Sequence, residues 1–141
     1  MSNFRFGIMG AGGIANKFCE AFSLLDNCEV CAISSKSCDR AKNFAAKHGL
    51  NKYYGSYIEM LEAEKPDCVY IAVTPNDHYR LTMMCVERGI PVLCEKAMFQ
   101  NSDEAQKVFE AAAKNKVFVM EAMWSRFLPA VKMAKEWIDK G

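Results

Sequence analysis

The feature that most constrains this chain is its alternation. Short apolar runs of strand length recur along its whole length, with amphipathic stretches of helix length between them. The predicted strands are "FRFGIM" (4–9), "EVCAIS" (29–34), "KYYG" (52–55), "CVYIAV" (68–73), "PVLC" (91–94) and "KVFVM" (116–120). The predicted helices cover 14–24, a stretch from Asp39 as N-cap to Gly49, 57–64, 78–88, a segment after Asn101 and one opening at Pro129. Strands separated by helices cannot pair as hairpins. They pair in parallel through right-handed crossovers, with helices on both faces of the sheet. The expected fold class is therefore α/β, a doubly wound parallel sheet. "CVYIAV" is apolar at nearly every position, as a strand covered on both faces should be.

Local signals support several boundaries. Asn101 and Glu104 have the spacing of a capping box. The last helix gathers Val131, Ala134, Trp137 and Ile138 on one side, with Lys132–Glu136 and Lys135–Asp139 at i,i+4 on the other.

Composition narrows the function classes. A net charge of +1 over 141 residues gives no broad field to attract nucleic acid or a membrane surface. There is no apolar run of spanning length, and the start passes straight into a strand pattern with no leader ahead of it. Seven cysteines, an odd number spread through apolar segments, fit free thiols in a reducing cytoplasm. Cys28 and Cys31 form a CxxC, but on a strand i and i+3 point to opposite faces. With no second CxxC, no metal site is expected.

The loop "GIMGAGGIA" (7–15) follows the first strand and opens the first helix. Gly10 permits a tight turn, Gly12 lets the backbone approach a pyrophosphate, and Ala15 is small enough for close helix–strand packing. The amides around Gly10, Ala11, Gly12, Gly13 and Ile14 would then face phosphate oxygens at a helix N-terminus. This context predicts dinucleotide binding. The end of the second strand, "ISSKS" (33–37), bears on which dinucleotide. NAD-specific sites place a carboxylate there for the ribose hydroxyls. Here Ser35 takes that place, followed by Lys36, with Arg40 one turn into the next helix. A hydroxyl and two cations suit a 2′-phosphate, so NADP is expected over NAD.

"VLCEKAMF" (92–99) sets two charges inside an apolar run, where desolvation is costly. Lys96 falls just past the carboxyl end of a strand, the edge where open α/β sheets bind ligands. A lysine in a partly dry cleft there can give or take a proton. Glu95 can pair with Lys96 or with a cofactor ribose, and a purely structural ion pair is the alternative.

Four motifs in order, "GAGGIA", "TPNDHY" (74–79), "VLCEKAM" and "MEAMWSRFLPA" (120–130), resemble the glucose-fructose oxidoreductase/inositol dehydrogenase family (Gfo/Idh/MocA) across the whole chain. "EKA" with "MEAMWSRF" is most similar to the branch holding dihydrodiol dehydrogenases and NADP-dependent xylose dehydrogenases. The resemblance implies a Rossmann domain over 1–121, and a connecting segment over 122–141 that leads to a second α/β domain absent from these 141 residues. It implies hydride transfer between NADP and a hydroxyl of a sugar, polyol or cyclic diol. Lys96 would be the catalytic lysine and Glu95 would help hold the nicotinamide ribose. Thr74, Pro75, Asn76 and His78 would line the cofactor path, although "TPNDHY" is one residue shorter than the family's usual form. Trp124 and Arg126 would face the nicotinamide and substrate, or pack against the second domain. A chain of this length is expected to bind cofactor without completing catalysis. The alternatives are a non-catalytic nucleotide-binding sensor or partner, and an interaction surface over 123–138 that promotes self-association.

Overall fold

The computed structural model describes residues 3–141. The absence of a leader, read in part from Met1 and Ser2, lies outside the described residues at those two positions. Six parallel strands form one sheet: β1 (Phe4–Met9), β2 (Cys28–Ser34), β3 (Tyr53–Tyr54), β4 (Cys68–Ile71), β5 (Val92–Cys94) and β6 (Val119–Glu121). Their order is β3-β2-β1-β4-β5-β6, so the chain reverses direction across the sheet between β1 and β4. That is the doubly wound arrangement, with its switch point at the end of β1.

Helices α1 (Gly13–Phe22) and α2 (Cys38–His48) cover one face. Ala15, Phe44 and Ala45 pack there against Ile8, Ile33, Tyr70 and Ala72 of the sheet side. Helices α3 (Tyr57–Glu64), α4 (His78–Val86) and α5 (Ser102–Asn115) lie on the other face. Met60, Leu61, Leu81 and Cys85 pack there against Met9, Ala32, Val69, Ile71, Val92 and Cys94. Every residue of β4 is buried, as its unbroken apolar run requires. Helix α6 (Pro129–Lys140) stands apart, with no buried residue.

Several boundaries differ from expectation, each for a local reason. Helix α2 is capped by Ser37, not Asp39: the Ser37 hydroxyl accepts from the Arg40 amide. Asp39 sits instead in the first turn, where its charge suits the helix dipole. The sixth strand begins at Val119 and not at Lys116, because Lys116 adopts φ 56° and ends α5. The Val117 amide then donates back to Ala112. Helix α4 stops at Val86, short of Arg88, and α1 at Phe22, short of Leu24. Asn101 caps α5 as expected, accepting from the Glu104 amide, while Glu104 reaches back to the Gln100 amide.

Cys28 and Cys31 are free thiols on β2. Cys31 packs against the α3–α4 core, while Cys28 shares a surface groove with Cys19 on the α1 side. Burial pushes the Cys31 thiol above its ordinary value, the opposite of what a reactive thiolate needs. Among the described residues, no helix is long and apolar enough to cross a membrane.

Candidate functional site

Two clefts open at the carboxyl edge of the sheet, and Ile14 lines both. The first, of about 330 Å³, is walled by the glycine loop, Ser35, Lys36, Arg40, Tyr57, Thr74 and Asp77. The second, of about 560 Å³, lies between α1 and the β4–β5–β6 half of the sheet, which α1 and α2 leave uncovered. Phe18, Tyr70, Leu93, Met120, Ala122 and Trp124 make it apolar, and Glu95 reaches into it.

The glycines of the first cleft serve different ends. Gly10 has φ +108°, and a Cβ there would lie 2.5 Å from the Ala72 carbonyl oxygen. Its requirement comes from the fold itself, where the turn presses against the end of β4. A Cβ on Gly12 would meet nothing closer than 3.9 Å, and one on Gly13 nothing within 4 Å. The protein's own packing does not demand glycine at these two positions; the space beside them is open to a ligand. Helix α1 tells the same story. Helices α2, α3 and α5 are capped by Ser37, Ser56 and Asn101, each with an acidic residue in the first turn. Helix α1, with Gly12 as its N-cap, has no side-chain cap and no acid in its first turn, as is also true of α4 and α6. Its leading amides are thus left for an anion, so the residues present fit a dinucleotide pyrophosphate.

At the far end of this cleft Lys36 is not free. Its ammonium donates to Asp77 at 2.6 Å, and Asp77 also accepts from Arg80 at 3.0 Å. The hydrogen bonds from Lys36 and then Arg80 hold the Asp77 carboxyl below its usual range. Arg40 has no ion-pair partner among the described residues. Ser35 is buried, its hydroxyl accepting from the Ser37 amide at 3.4 Å.

The segment carrying Lys96 is fixed through its backbone. The Glu95 amide donates to Ile71, and the Lys96 amide donates to the Glu95 carboxylate at 3.2 Å. A ring nitrogen of His78 lies 3.0 Å from the Ala97 carbonyl, and the Met98 amide donates to Glu121 at 2.9 Å. The Lys96 side chain stays exposed, so the dry environment expected around it is not found in these residues. Nor do Glu95 and Lys96 form an ion pair. Glu95 is buried and accepts from the Tyr70 hydroxyl at 2.6 Å. Burial, then that hydrogen bond, push the Tyr70 phenol well above its ordinary value, so it stays a donor. Phe18 stacks on Tyr70 with ring centroids 3.9 Å apart.

The remaining predicted residues divide. Thr74 lines the glycine cleft. Pro75 and Asn76 form the exposed turn after β4, where the Asn76 side chain accepts from Gln100. His78 lies beneath this wall and not on it: it is fully buried, and its other ring nitrogen lies 3.0 Å from the Val73 carbonyl. It ties the turn after β4 to the Lys96 segment instead of lining a cofactor path. Trp124 lines the apolar cleft while 59% exposed. Arg126 is exposed and lines neither cleft.

Residues 4–123 match the family described as "Oxidoreductase family, NAD-binding Rossmann fold" (GFO_IDH_MocA). The chain belongs to this family. Among curated relatives it is 39% identical over 127 residues to a trans-1,2-dihydrobenzene-1,2-diol dehydrogenase of Xenopus tropicalis, covering 89% of this chain and 38% of that protein. It is 38% identical over 139 residues to the Mus musculus protein of the same name, covering 97% of this chain and 42% of the other. These relatives belong to the dihydrodiol dehydrogenase branch that the motifs resemble. Among solved structures, a 3-ketoreductase from Actinomadura kijaniata in complex with TDP-benzene and NADP superposes at TM-score 0.91 with 26% identity, covering 99% of this chain and 43% of that one. An oxidoreductase from Agrobacterium radiobacter superposes at 0.93 with 19% identity, over 99% and 41%, and shares the fold. The chain thus spans about two fifths of the length of the relatives it matches. As a member of this family it is an NAD(P)-binding oxidoreductase domain, and the nicotinamide dinucleotide is its cofactor class.

Sequence reasoning missed two polar residues that line these clefts. Tyr70 carries the one hydroxyl in the apolar run "CVYIAV", and Asp77 the one negative charge in "TPNDHY". Both were visible as exceptions to their surroundings.

Proposed function

We propose that this chain is the cofactor-binding part of an NADP-dependent oxidoreductase that moves a hydride between the cofactor and a hydroxyl-bearing carbon of a sugar, polyol or cyclic diol. The observation that carries the NADP choice is the end of β2. Ser35 stands where a carboxylate would serve NAD, and Lys36 and Arg40 flank it on the rim of the glycine cleft. Gly10, Ala11, Gly12, Gly13 and Ile14 would cradle the pyrophosphate, with Thr74 and Pro75 along the cofactor path and Glu95 beside the nicotinamide ribose. The diol class follows the relatives' own name, trans-1,2-dihydrobenzene-1,2-diol dehydrogenase.

A bound nicotinamide would supply the hydride acceptor or donor. The protein's part is the proton. During oxidation the Lys96 amine takes the hydroxyl proton as the C–H pair leaves; during reduction its ammonium returns a proton to the carbonyl oxygen. The hydrogen bonds along residues 95–98 hold the lysine backbone in place before substrate arrives. With Lys96 exposed, water competes for this chemistry, and we infer that residues beyond 122–141 close the site. Trp124 would contribute its exposed face to that closure.

Titration with NADPH and NADH tests the cofactor reading. NADPH should bind at least about tenfold tighter at low salt, the preference narrowing as salt rises. Equal affinities would refute it. Turnover of a sugar and diol panel by these 141 residues alone would refute the view that catalysis needs more chain. A nucleotide-binding sensor, the second reading, is supported by the same exposure of Lys96, and any NADP-linked turnover by a completed protein removes it.

A further inference from the structure

Asp77 is the one carboxylate among the described residues that line the glycine cleft. Both of its oxygens are engaged, one by Lys36 at 2.6 Å and the other by Arg80 at 3.0 Å. Strands β2 and β4 flank β1, so an ion pair from the end of β2 to the turn after β4 crosses the mouth of the cleft above the glycine loop. The two partners differ in freedom. The Lys36 side chain is 66% exposed and that of Asp77 only 20%. Arg80, on the first turn of α4, pins the carboxylate from its far side. Asp77 is thus the fixed member and Lys36 the long arm drawn to it.

We propose that Asp77 is a specificity-determining residue: it competes with the cofactor 2′-phosphate for Lys36 and so sets how far the site prefers NADP over NAD. This rests on the reading that Lys36 meets the 2′-phosphate. A phosphate arriving beside Lys36 must share the ammonium with a carboxylate or displace it. NAD brings no phosphate to that point and is indifferent to the contest. Asp77 therefore lowers NADP affinity selectively.

The test compares dissociation constants of NADPH and NADH for the full chain, followed by cofactor fluorescence at two salt concentrations. Asp77→Asn keeps the shape and removes the charge. It should tighten NADPH binding about threefold to tenfold and leave NADH within about twofold, the gain shrinking with salt. In a Lys36→Ala background the same change should alter NADPH binding by less than about twofold. Asp77→Glu, which keeps the charge, should return the ratio toward that of the unaltered protein. Asp77→Ser replaces the Asn variant if thermal unfolding shows the latter to be damaged. The proposal is overturned if Asp77→Asn weakens NADPH, shifts both cofactors equally, or gains as much without Lys36. Lys36→Ala alone separates the two readings. If it abolishes the NADPH preference while Asp77→Asn gains nothing, only the competition fails; if it leaves the preference intact, the 2′-phosphate reading fails and the competition with it.

Discussion

Gly10 and Gly12 sit two residues apart in one loop, and the structure predicts that adding a methyl to each has opposite consequences. At Gly10 the new Cβ would lie 2.5 Å from the Ala72 oxygen, 2.7 Å from its carbonyl carbon and 3.0 Å from a Val73 methyl. The φ of +108° adds backbone strain of about 1–2 kcal/mol for any L side chain. Relieving the overlap by moving backbone adds about 1–3 kcal/mol. Gly10→Ala should therefore cost about 2–5 kcal/mol, a large share of the roughly 5–15 kcal/mol that holds a domain together. At about 3 °C per kcal/mol for a chain of this size, Tm should fall by about 6–15 °C. At Gly12 the nearest atom to a Cβ is 3.9 Å away, and φ is −101°. Gly12→Ala should cost only the weaker N-cap preference of alanine, about 0.5–1 kcal/mol, or about 2–3 °C. Its methyl stands where the pyrophosphate would approach, so NADPH binding should weaken about tenfold or more. Thermal unfolding by circular dichroism and a calorimetric titration on the same samples measure both quantities. A Gly12→Ala protein that binds NADPH like the unaltered chain would refute the assignment of this loop as the phosphate cradle. A Gly10→Ala protein of undiminished Tm would refute the packing argument for the first glycine.

Four further outcomes follow from other parts of the molecule. Glu64 is buried and held by Arg5, Lys52 and the Tyr54 hydroxyl. Burial pushes its carboxyl up, but the bonds from Lys52 and Tyr54 and the nearby charges outweigh this and leave it below its ordinary 4.5. Its contribution is thus present above that value and lost as pH falls through the lower folded-state value. Glu64→Gln should cost about 2–4 kcal/mol at pH 7, and the gap between variant and parent should narrow in denaturant titrations below about pH 4. His78→Phe removes the link between Val73 and Ala97, so it should cost about 1–3 kcal/mol and speed amide exchange at Met98, whereas Lys96→Ala should leave Tm within about 1 °C and NADPH affinity within about threefold. The apolar side of α6 stands uncovered, with Val131 44% and Ile138 79% exposed. Sedimentation should show concentration-dependent self-association that the double substitution Val131→Glu, Ile138→Glu abolishes; a monomer at every concentration would count against that surface.

What the sequence made legible, and what it did not, follows from the range of the forces involved. The alternation of strand and helix is a local property of each segment, and it sufficed for the element order and the doubly wound sheet. Boundaries were less secure where two local signals competed. Ser37 and Asp39 are both good caps, and only the Arg40 amide, reaching the Ser37 hydroxyl at 3.4 Å, decides between them. The left-handed turn at Lys116 carries no glycine to announce it. Pairings were least legible. Glu95 and Lys96 invite pairing as neighbours, yet successive residues leaving a strand point in opposite directions. Glu95 turns inward to Tyr70, 25 positions away, and Lys96 turns outward. Lys36 likewise finds its partner 41 positions along the chain. One rule nonetheless recovers much of the site. All six strands are parallel, so all their carboxyl ends lie on a single edge. The glycine loop after β1, Lys36 after β2, Asp77 after β4, Lys96 after β5 and Glu121 at the end of β6 are delivered to that edge by topology alone. A charge placed just past a strand in such a chain is therefore a candidate site residue by position, while its partner is decided by where the sheet order sets the other strand ends. The order β2-β1-β4 sets the ends of β2 and β4 on either side of the glycine loop, and this is why Lys36 meets a carboxylate that the loop's own sequence does not contain.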